Sequence, residues 1–214
     1  MSILNSHHRK QRGFVATILV LLTGLAASAA LLISVALALI FPKLPELDSL
    51  TDYRPKVPLR VLTSDGALVA EFGEERRRPV DITQVPLIMQ QAILAAEDDR
   101  FYEHGGIDFM GVARALITNV TSGGRAQGAS TITMQVARNF FLTREKTWTR
   151  KLYEVLLAYK IEGNLSKDEI LELYINQIYL GQRAYGFQAA AQVYFGKKLQ
   201  EINAAEAAML AGLP

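Results

Sequence analysis

The stretch ILAAEDDRFYEHGG, residues 93–106, places an apolar helix face directly before a group of carboxylates and a histidine. Glu97 follows this apolar face at once, and Asp98 and Asp99 come next. Acidic side chains at the C-terminal end of a helix oppose the helix dipole, so this is an unusual place for them. A solvated helix end is the simpler interpretation; a carboxylate held in a cleft as an acid or base is the other.

A second misplaced carboxylate, Glu154, lies in KLYEVLLAYKI, residues 151–161. Its apolar neighbours cover almost the whole circumference of the predicted helix, which indicates a central, buried helix. A lone buried carboxylate is costly, and Arg150 one turn earlier would neutralise it as a structural pair. The alternative is that Glu97 and Glu154 form a general acid/base pair acting on a sugar. The residues alone leave both interpretations open.

The elements that must position these carboxylates are mainly α-helical. Apolar periodicity predicts helices near residues 86–98, 109–120, 131–141, 147–162, 167–179, 187–195 and 203–212. A small β-hairpin is predicted around Asp65-Gly66, because apolar and polar residues alternate on both sides of this turn signal. Asp108, Ser166 with Glu169, and Asn203 with Glu206 are the predicted helix caps.

The N-terminal region predicts a single membrane anchor. No charged residue occurs from Phe14 to Phe41, a run of 28 residues, whereas about 20 apolar residues suffice to cross a bilayer. Arg9, Lys10 and Arg12 precede the run, so the N-terminus is expected in the cytoplasm and the body outside it. A cleaved signal peptide is the alternative, since ASA at 27–29 resembles a processing site.

The charge and cysteine content exclude several functions. After Phe41 the chain carries 20 basic and 21 acidic side chains, a formal charge of −1, which gives no electrostatic footprint for nucleic acid. The absence of cysteine excludes both a disulfide framework and a thiolate metal site.

Five ordered blocks then match a known family. They are EDDRFYEHGGID (97–108), GASTITMQ (128–135), RKLYE (150–154), KDEILELYIN (167–176) and YLGQRAYGFQAAAQVYFGK (179–197). Over residues 57 to 214 the chain resembles the peptidoglycan glycosyltransferase module of class A penicillin-binding proteins, bifunctional type, which is also found in monofunctional transglycosylases. The resemblance implies a mainly α, lysozyme-like glycosyltransferase domain.

The resemblance also implies a reaction and a catalytic base. A lipid-linked glycan donor is transferred to the C4 hydroxyl of lipid II with inversion, and polyprenyl diphosphate is released. Glu97 would remove the proton of the acceptor hydroxyl, and Glu154 would be the second catalytic carboxylate. Phe101, His104 and Gly106 would shape the loop that holds Glu97.

The remaining site residues follow from the matching blocks. Ser130, Thr131 and Gln135 would line the donor side, although Ser130 and Thr131 are also good helix caps. Arg138 stands where many members carry lysine, and Arg150 and Lys151 would bind the pyrophosphate. The expected substrate-binding set is Asp98, Phe101, His104, Gly106, Ser130, Thr131, Gln135, Arg138, Arg150 and Lys151.

No cofactor is expected to be required. A divalent cation, Mg²⁺ or Mn²⁺, could accompany the pyrophosphate near Glu154, because Mg²⁺ often binds through one or two carboxylates and substrate phosphates. The expected partners are lipid II, the growing glycan strand, the cytoplasmic membrane and other cell-wall synthesis proteins, with no nucleic acid.

The expected organisation is a cytoplasmic tail (1–13), a transmembrane anchor (14–41), a linker (42–58) and the glycosyltransferase domain (59–214), with the C-terminal part of that domain missing. The catalytic domain would lie on the external, periplasmic side of the cytoplasmic membrane.

Two rival functions stay open. A lytic transglycosylase or muramidase would share the fold but would need no basic cluster beside its second carboxylate, and a non-catalytic wall-synthesis scaffold would need neither Glu97 nor Glu154. Within the blocks, KDEILELYIN is predicted to be packing, through Ile170, Leu171, Leu173, Tyr174 and Ile175. RNFFL, residues 138–142, is interpreted either as a lipid-facing segment or as ordinary core.

Overall fold

The computed structural model contains two compact units, Met1–Leu44 and Pro45–Pro214, which we describe separately. The residues described are 2–47, 50, 59–66, 68–73, 75–122, 128–142 and 147–214.

The N-terminal unit is a single long helix, α1 (Ser2–Ile40), followed by a 3₁₀ turn at Phe41–Lys43. Within the described part of the chain, one segment, Val20–Lys43, is long and apolar enough to cross a membrane, with a mean hydropathy of 2.4. This is a statement of length and composition, which a signal sequence near the N-terminus would also satisfy. Residues 2–13, expected as a cytoplasmic tail, continue the same helix.

The second unit begins with the predicted hairpin. Strands β1 (Leu59–Leu62) and β2 (Leu68–Phe72) pair antiparallel across the turn that contains Gly66. Residues 51–58, most of the predicted linker, lie outside the described residues. Leu50 is buried and the Pro45 carbonyl accepts a hydrogen bond from Lys160, so parts of the linker contact this unit.

Seven further helices follow in the described residues, close to the predicted bounds. They are α2 (Leu87–Glu97), α3 (Phe109–Thr121), α4 (Ile132–Phe141), α5 (Trp148–Glu162), α6 (Lys167–Gln177), α7 (Phe187–Phe195) and α8 (Ala204–Ala211).

The predicted caps of α6 and α8 are confirmed, and the cap of α3 differs. Ser166 with Glu169, and Asn203 with Glu206, form complete capping boxes. Asp108 lies at the N-cap position of α3 without a regular capping hydrogen bond among the described residues. One of its carboxylate oxygens pairs with Arg100, and the other lies beside Gly111 in the first turn of the helix.

The core is built around α6, as the KDEILELYIN pattern predicts. Ile170, Leu171, Tyr174 and Ile175 are fully buried, and Leu173 is half-buried. Helix α4 packs against both α5 and α6, while α2 packs against α8. Glu97 is therefore carried by a helix that packs on α8, and Glu154 by a helix that packs on α4.

Three features differ from the sequence predictions. Helix α6 ends at Gln177 instead of 179, because Ile178 is extended and the chain turns at Gly181 (φ 86°). After this turn the chain forms a short strand, β4 (Ala184–Tyr185), which pairs in parallel with β3 (Arg76–Arg77). Both strands are too short for periodicity to detect. Helix α5 is not buried all round: Leu152 and Tyr159 are exposed.

Candidate active site

An open cleft of about 880 Å³ lies at the C-terminal end of α2 and the N-terminal end of α4. Its lining contains six of the predicted site residues: Glu97, Asp98, Ser130, Thr131, Gln135 and Arg138. Residues from two separate sequence blocks therefore meet at one concave surface, as expected of a substrate site.

Glu97 is the last residue of α2 and is half-buried at the cleft. Its Oε2 accepts a hydrogen bond from Nε2 of Gln135 at 2.6 Å. Oε1 accepts no hydrogen bond from the residues that the structure describes. Gln135 is itself buried, and its Oε1 accepts from Arg138 Nη2 at 3.4 Å. The Glu97 carboxylate is thus oriented through one oxygen, while the other remains available on the cleft side.

Asp98 ends helix α2 and uses both of its carboxylate oxygens within the protein. Oδ1 lies 2.9 Å from His104 Nε2, and Oδ2 accepts the backbone N–H of Ile132 at 3.0 Å. The second contact places a negative charge at the N-terminus of α4, where the helix dipole favours it. Asp98 therefore joins the carboxylate loop to α4. This geometry supports a positioning role for Asp98. Asp98 also lines the cleft, and its contact with substrate stays a prediction.

Phe101, His104 and Gly106 likewise support the loop and do not line the cleft. Phe101 and Gly106 are buried, and Gly106 has φ 85°. A Cβ at Gly106 would lie 3.1 Å from both the Ala158 carbonyl oxygen and Glu162 Cγ, so only glycine fits without adjustment. The loop-shaping role implied by the resemblance fits this geometry, and their place among the substrate-binding residues stays a prediction.

The sequence left both helix capping and lining of the donor side open for Thr131 and Ser130, and the structure gives the two residues different contacts. Thr131 is the N-cap of α4: its Oγ1 accepts from Met134 N–H and donates to the Gly106 carbonyl at 2.6 Å. Ser130 lies at the cleft, and its Oγ accepts from Lys151 Nζ at 2.8 Å. The cap is structural, whereas the serine links the cleft to helix α5.

Glu154 is held between two cations on α5. Its side chain is 1% exposed, with Oε2 2.8 Å from Lys151 Nζ and Oε1 3.2 Å from Arg150 Nε. The structural Arg150–Glu154 pair considered from the sequence is present, and Lys151 is a second partner. Arg150, Lys151 and Glu154 are not among the residues that line the cleft. Of the three, Lys151 contacts the cleft residue Ser130.

Several residues at or near this cleft were missed by sequence reasoning. Arg114 of α3 lines the cleft and lies 3.6 Å from Asp99, and the exposed Tyr179 lines it after α6. Asp99 belongs to the EDD block, but nothing in the α3 pattern distinguishes Arg114 from a solvated arginine.

Two buried groups close to the site have perturbed pKa values. Burial raises the pKa of Asp108, but the hydrogen bond from Arg100, the backbone N–H of Gly111 and the charges of Arg100 and His104 together outweigh it and hold the pKa below its usual value. Burial, reinforced by the charge of Glu97, raises the pKa of Tyr174, whose hydroxyl has no hydrogen-bond partner in the described part of the chain. Tyr174 is therefore a neutral phenol behind the cleft.

The donor set around Glu154 does not fit a directly bound metal ion. Both of its oxygens face cationic nitrogens, whereas Mg²⁺ prefers free carboxylate oxygens and water. Within the described ranges, no group of three or more His, Cys, Asp or Glu side chains could hold a metal ion.

Comparison with known proteins identifies the family. The family model described as Transglycosylase matches residues 65–214, which include every residue of the cleft. The chain therefore belongs to the transglycosylase family, and its mainly helical body fits the lysozyme-like fold of this family.

Three similar proteins share the name penicillin-binding protein 1A. The chain is 56% identical over 200 residues to penicillin-binding protein 1A of Neisseria flavescens, covering 94% of this chain and 25% of that protein. It is 54% identical over 173 residues to penicillin-binding protein 1A of Escherichia coli K12, covering 81% and 20%. A crystal structure of penicillin-binding protein 1A from Haemophilus influenzae is 29% identical over 75% of this chain and 14% of that chain, with a TM-score of 0.35. The chain thus spans about a quarter of the length of the curated relatives that it matches.

Proposed function

We propose that this chain is a peptidoglycan glycosyltransferase. It would transfer a lipid-linked glycan donor to the C4 hydroxyl of lipid II with inversion and release polyprenyl diphosphate. The observation that carries this proposal is the pairing of an oriented carboxylate, Glu97, with a cation cluster joined to the same cleft through Ser130. Membership of the transglycosylase family supports it.

Glu97 acts in this proposal as the general base. As the acceptor oxygen attacks the anomeric carbon of the donor, Glu97 takes the hydroxyl proton, and the bond from that carbon to the diphosphate oxygen breaks. Gln135 holds one carboxylate oxygen, which leaves Oε1 to receive the proton. General base catalysis of this kind typically contributes about 10²–10⁴-fold in rate.

The cations stabilise the negative charge that develops on the departing diphosphate. Arg138 lies at the cleft, and Lys151 donates to Ser130 at its edge, with Arg150 on the same helix. Fixed positive groups at a developing negative charge lower the barrier without reorganising solvent. Glu154 holds both α5 cations in place through its two oxygens. A divalent cation, Mg²⁺ or Mn²⁺, would enter with the pyrophosphate, since each Glu154 oxygen lies within 3.2 Å of a cationic nitrogen.

The membrane is proposed as the site of action. Helix α1 would anchor the chain, with Arg9, Lys10 and Arg12 on the cytoplasmic side and the catalytic unit outside. The catalytic unit also carries an apolar stripe on α3 that the sequence analysis did not identify. Its members are Phe109, Met110, Leu116, Ile117 and Val120, each more than 60% exposed.

This α3 stripe changes the proposed lipid contact. The RNFFL segment, interpreted as lipid-facing or core, is half-buried at Phe140, Phe141 and Leu142. The α3 residues recur at helical spacing on one solvent-facing side, as in helices that lie in a membrane interface. We place the contact with lipid, and with the lipid-linked substrates, on α3.

Incubating the purified chain with labelled lipid II in detergent micelles tests the proposed function. Formation of glycan polymer is the expected result. Cleavage of added peptidoglycan without polymerisation would favour the lytic transglycosylase or muramidase, and neither activity would favour the scaffold.

A further inference from the structure

The carboxylate loop, residues 98–108, rests on a lysine to which no function has been assigned. Lys167 is the first residue of α6, and its Nζ donates to the His104 carbonyl at 2.6 Å and to Glu162 Oε1 at 2.8 Å. The same nitrogen lies 4.3 Å from the centroid of the Phe101 ring. Two of the three donors of the ammonium group are therefore used in hydrogen bonds, and its charge lies over the aromatic ring.

Glu162 extends this contact to helix α4. Its Oε1 also accepts from Thr133 Oγ1 at 2.6 Å, and its Cγ lies directly beneath Gly106. Thr133 is fully buried on α4, two residues before Gln135, which holds the Glu97 carboxylate. We call Lys167, Glu162 and Thr133 the lysine junction.

The lysine junction and Asp98 fix the loop from two directions. Asp98 ties the start of the loop to the first turn of α4 and to the His104 ring, while Lys167 holds the His104 backbone. His104 is therefore held at both its side chain and its carbonyl. Because Glu97 immediately precedes this loop, a shift of His104 would be transmitted through Asp98 to the carboxylate.

We propose that Lys167 is a positioning residue for Glu97, acting through His104 and Asp98. The inference rests on the function proposed above, in which Glu97 is the general base. Misplacement of a reacting group by about 1 Å can lower turnover about 10²-fold, so a flexible loop would reduce kcat. Lys167 does not line the cleft, so the KM for lipid II should change little.

A purely structural lysine would behave differently. Lys167 and Glu162 also join the end of α5 to the start of α6, and this ion pair alone would contribute to thermal stability. If that were its whole role, its loss would lower the melting temperature and leave kcat unchanged well below that temperature. The separation of kcat from KM, with rescue by arginine, distinguishes the two roles.

The experiment compares three variants of the full chain in detergent: Lys167→Met, Lys167→Arg and Lys197→Met. Lys197 is the matched control, because it forms an ion pair of similar kind with Glu206 and contacts no residue of the loop in the described part of the chain. Polymerisation kinetics would be measured below all melting temperatures, together with hydrogen exchange of the amides in residues 99–107.

Lys167→Met should lower kcat at least tenfold, keep KM within about twofold and accelerate exchange in the loop. Lys167→Arg should recover most of the loss, and Lys197→Met should match the wild type. Unchanged kcat in Lys167→Met, or an equal loss in Lys197→Met, would overturn the inference. If the wild type forms no polymer, the proposed function is refuted, and so is the effect of Lys167 on catalysis, which depends on it. Loop exchange then still decides whether Lys167 fixes the loop, and unchanged exchange would refute that too.

Discussion

Replacing Glu154 with glutamine separates the structural and catalytic interpretations of this buried carboxylate. The substitution removes a negative charge that is 1% exposed and lies within 3.2 Å of both Arg150 and Lys151. Glutamine keeps the shape and one acceptor, so the change is close to a pure loss of charge.

The expected loss of stability is moderate because the two cations are not sealed in the core. Breaking a fully buried ion pair costs about 3–5 kcal/mol. Here the Lys151 side chain is 39% exposed and keeps its hydrogen bond to Ser130. The loss should therefore be nearer that of a hydrogen bond to a charged group, about 1.5–3 kcal/mol. For a domain of this size, that lowers the melting temperature by about 3–12 °C.

Turnover, measured well below the melting temperature, decides between the interpretations. If Glu154 positions the diphosphate-binding cations, polymerisation should fall about 10²-fold, the scale seen when a charge-stabilising group is removed from an active site. Glu206→Gln is the control, since Glu206 pairs with Lys197 away from the cleft and should lose stability only. A Glu154→Gln protein that melts lower but polymerises within about twofold of wild type would refute the catalytic role.

Three further predictions concern the loop and the membrane. Gly106→Ala should lower the free energy of unfolding, measured by chemical denaturation, by about 1–2 kcal/mol, because Gly106 has a left-handed backbone. Gly105→Ala, where a Cβ would meet nothing within 4 Å, should be neutral. Equal effects of the two substitutions would contradict the argument. Ile117→Ser should weaken liposome binding of residues 45–214 without changing the melting temperature, whereas Met209→Ser on α8 should leave binding intact; unaltered binding of the Ile117 variant would remove α3 from the membrane contact. Protease added to spheroplasts should digest residues 45–214, and protection until lysis would reverse the proposed orientation.

The sequence predicted the helices well because their apolar periodicity and caps are local signals. Helix bounds differed by one or two residues, and the Arg150–Glu154 pair followed from its i,i+4 spacing. Apolar periodicity did not predict which apolar faces are buried against other helices and which face solvent. Helix α3 has a clear apolar stripe, but that stripe faces solvent, and α5 has apolar residues on a face that is not buried.

Six of the predicted site residues line the cleft, but the sequence could not give the contacts that each residue makes. Asp98 and Phe101 belong to a matching block, but the contacts by which they support the loop are visible only in the structure. Lys167 received no role from the sequence, because its partners, the His104 carbonyl and Glu162, are defined by tertiary structure. The contact between Arg114 and Asp99 is likewise tertiary, so the spacing of the two residues in the sequence does not predict it.

The rate of lipid II polymerisation by Glu97→Gln, measured beside Glu103→Gln, tests the central claim most directly. Glu103 is an exposed carboxylate in the same loop and does not line the cleft, so it controls for the loss of one charge there. The account predicts that Glu97→Gln loses about 10²–10⁴-fold in turnover while still binding lipid II, and that Glu103→Gln polymerises like the wild type. Turnover of Glu97→Gln within a few-fold of wild type would contradict the assignment of Glu97 as the general base.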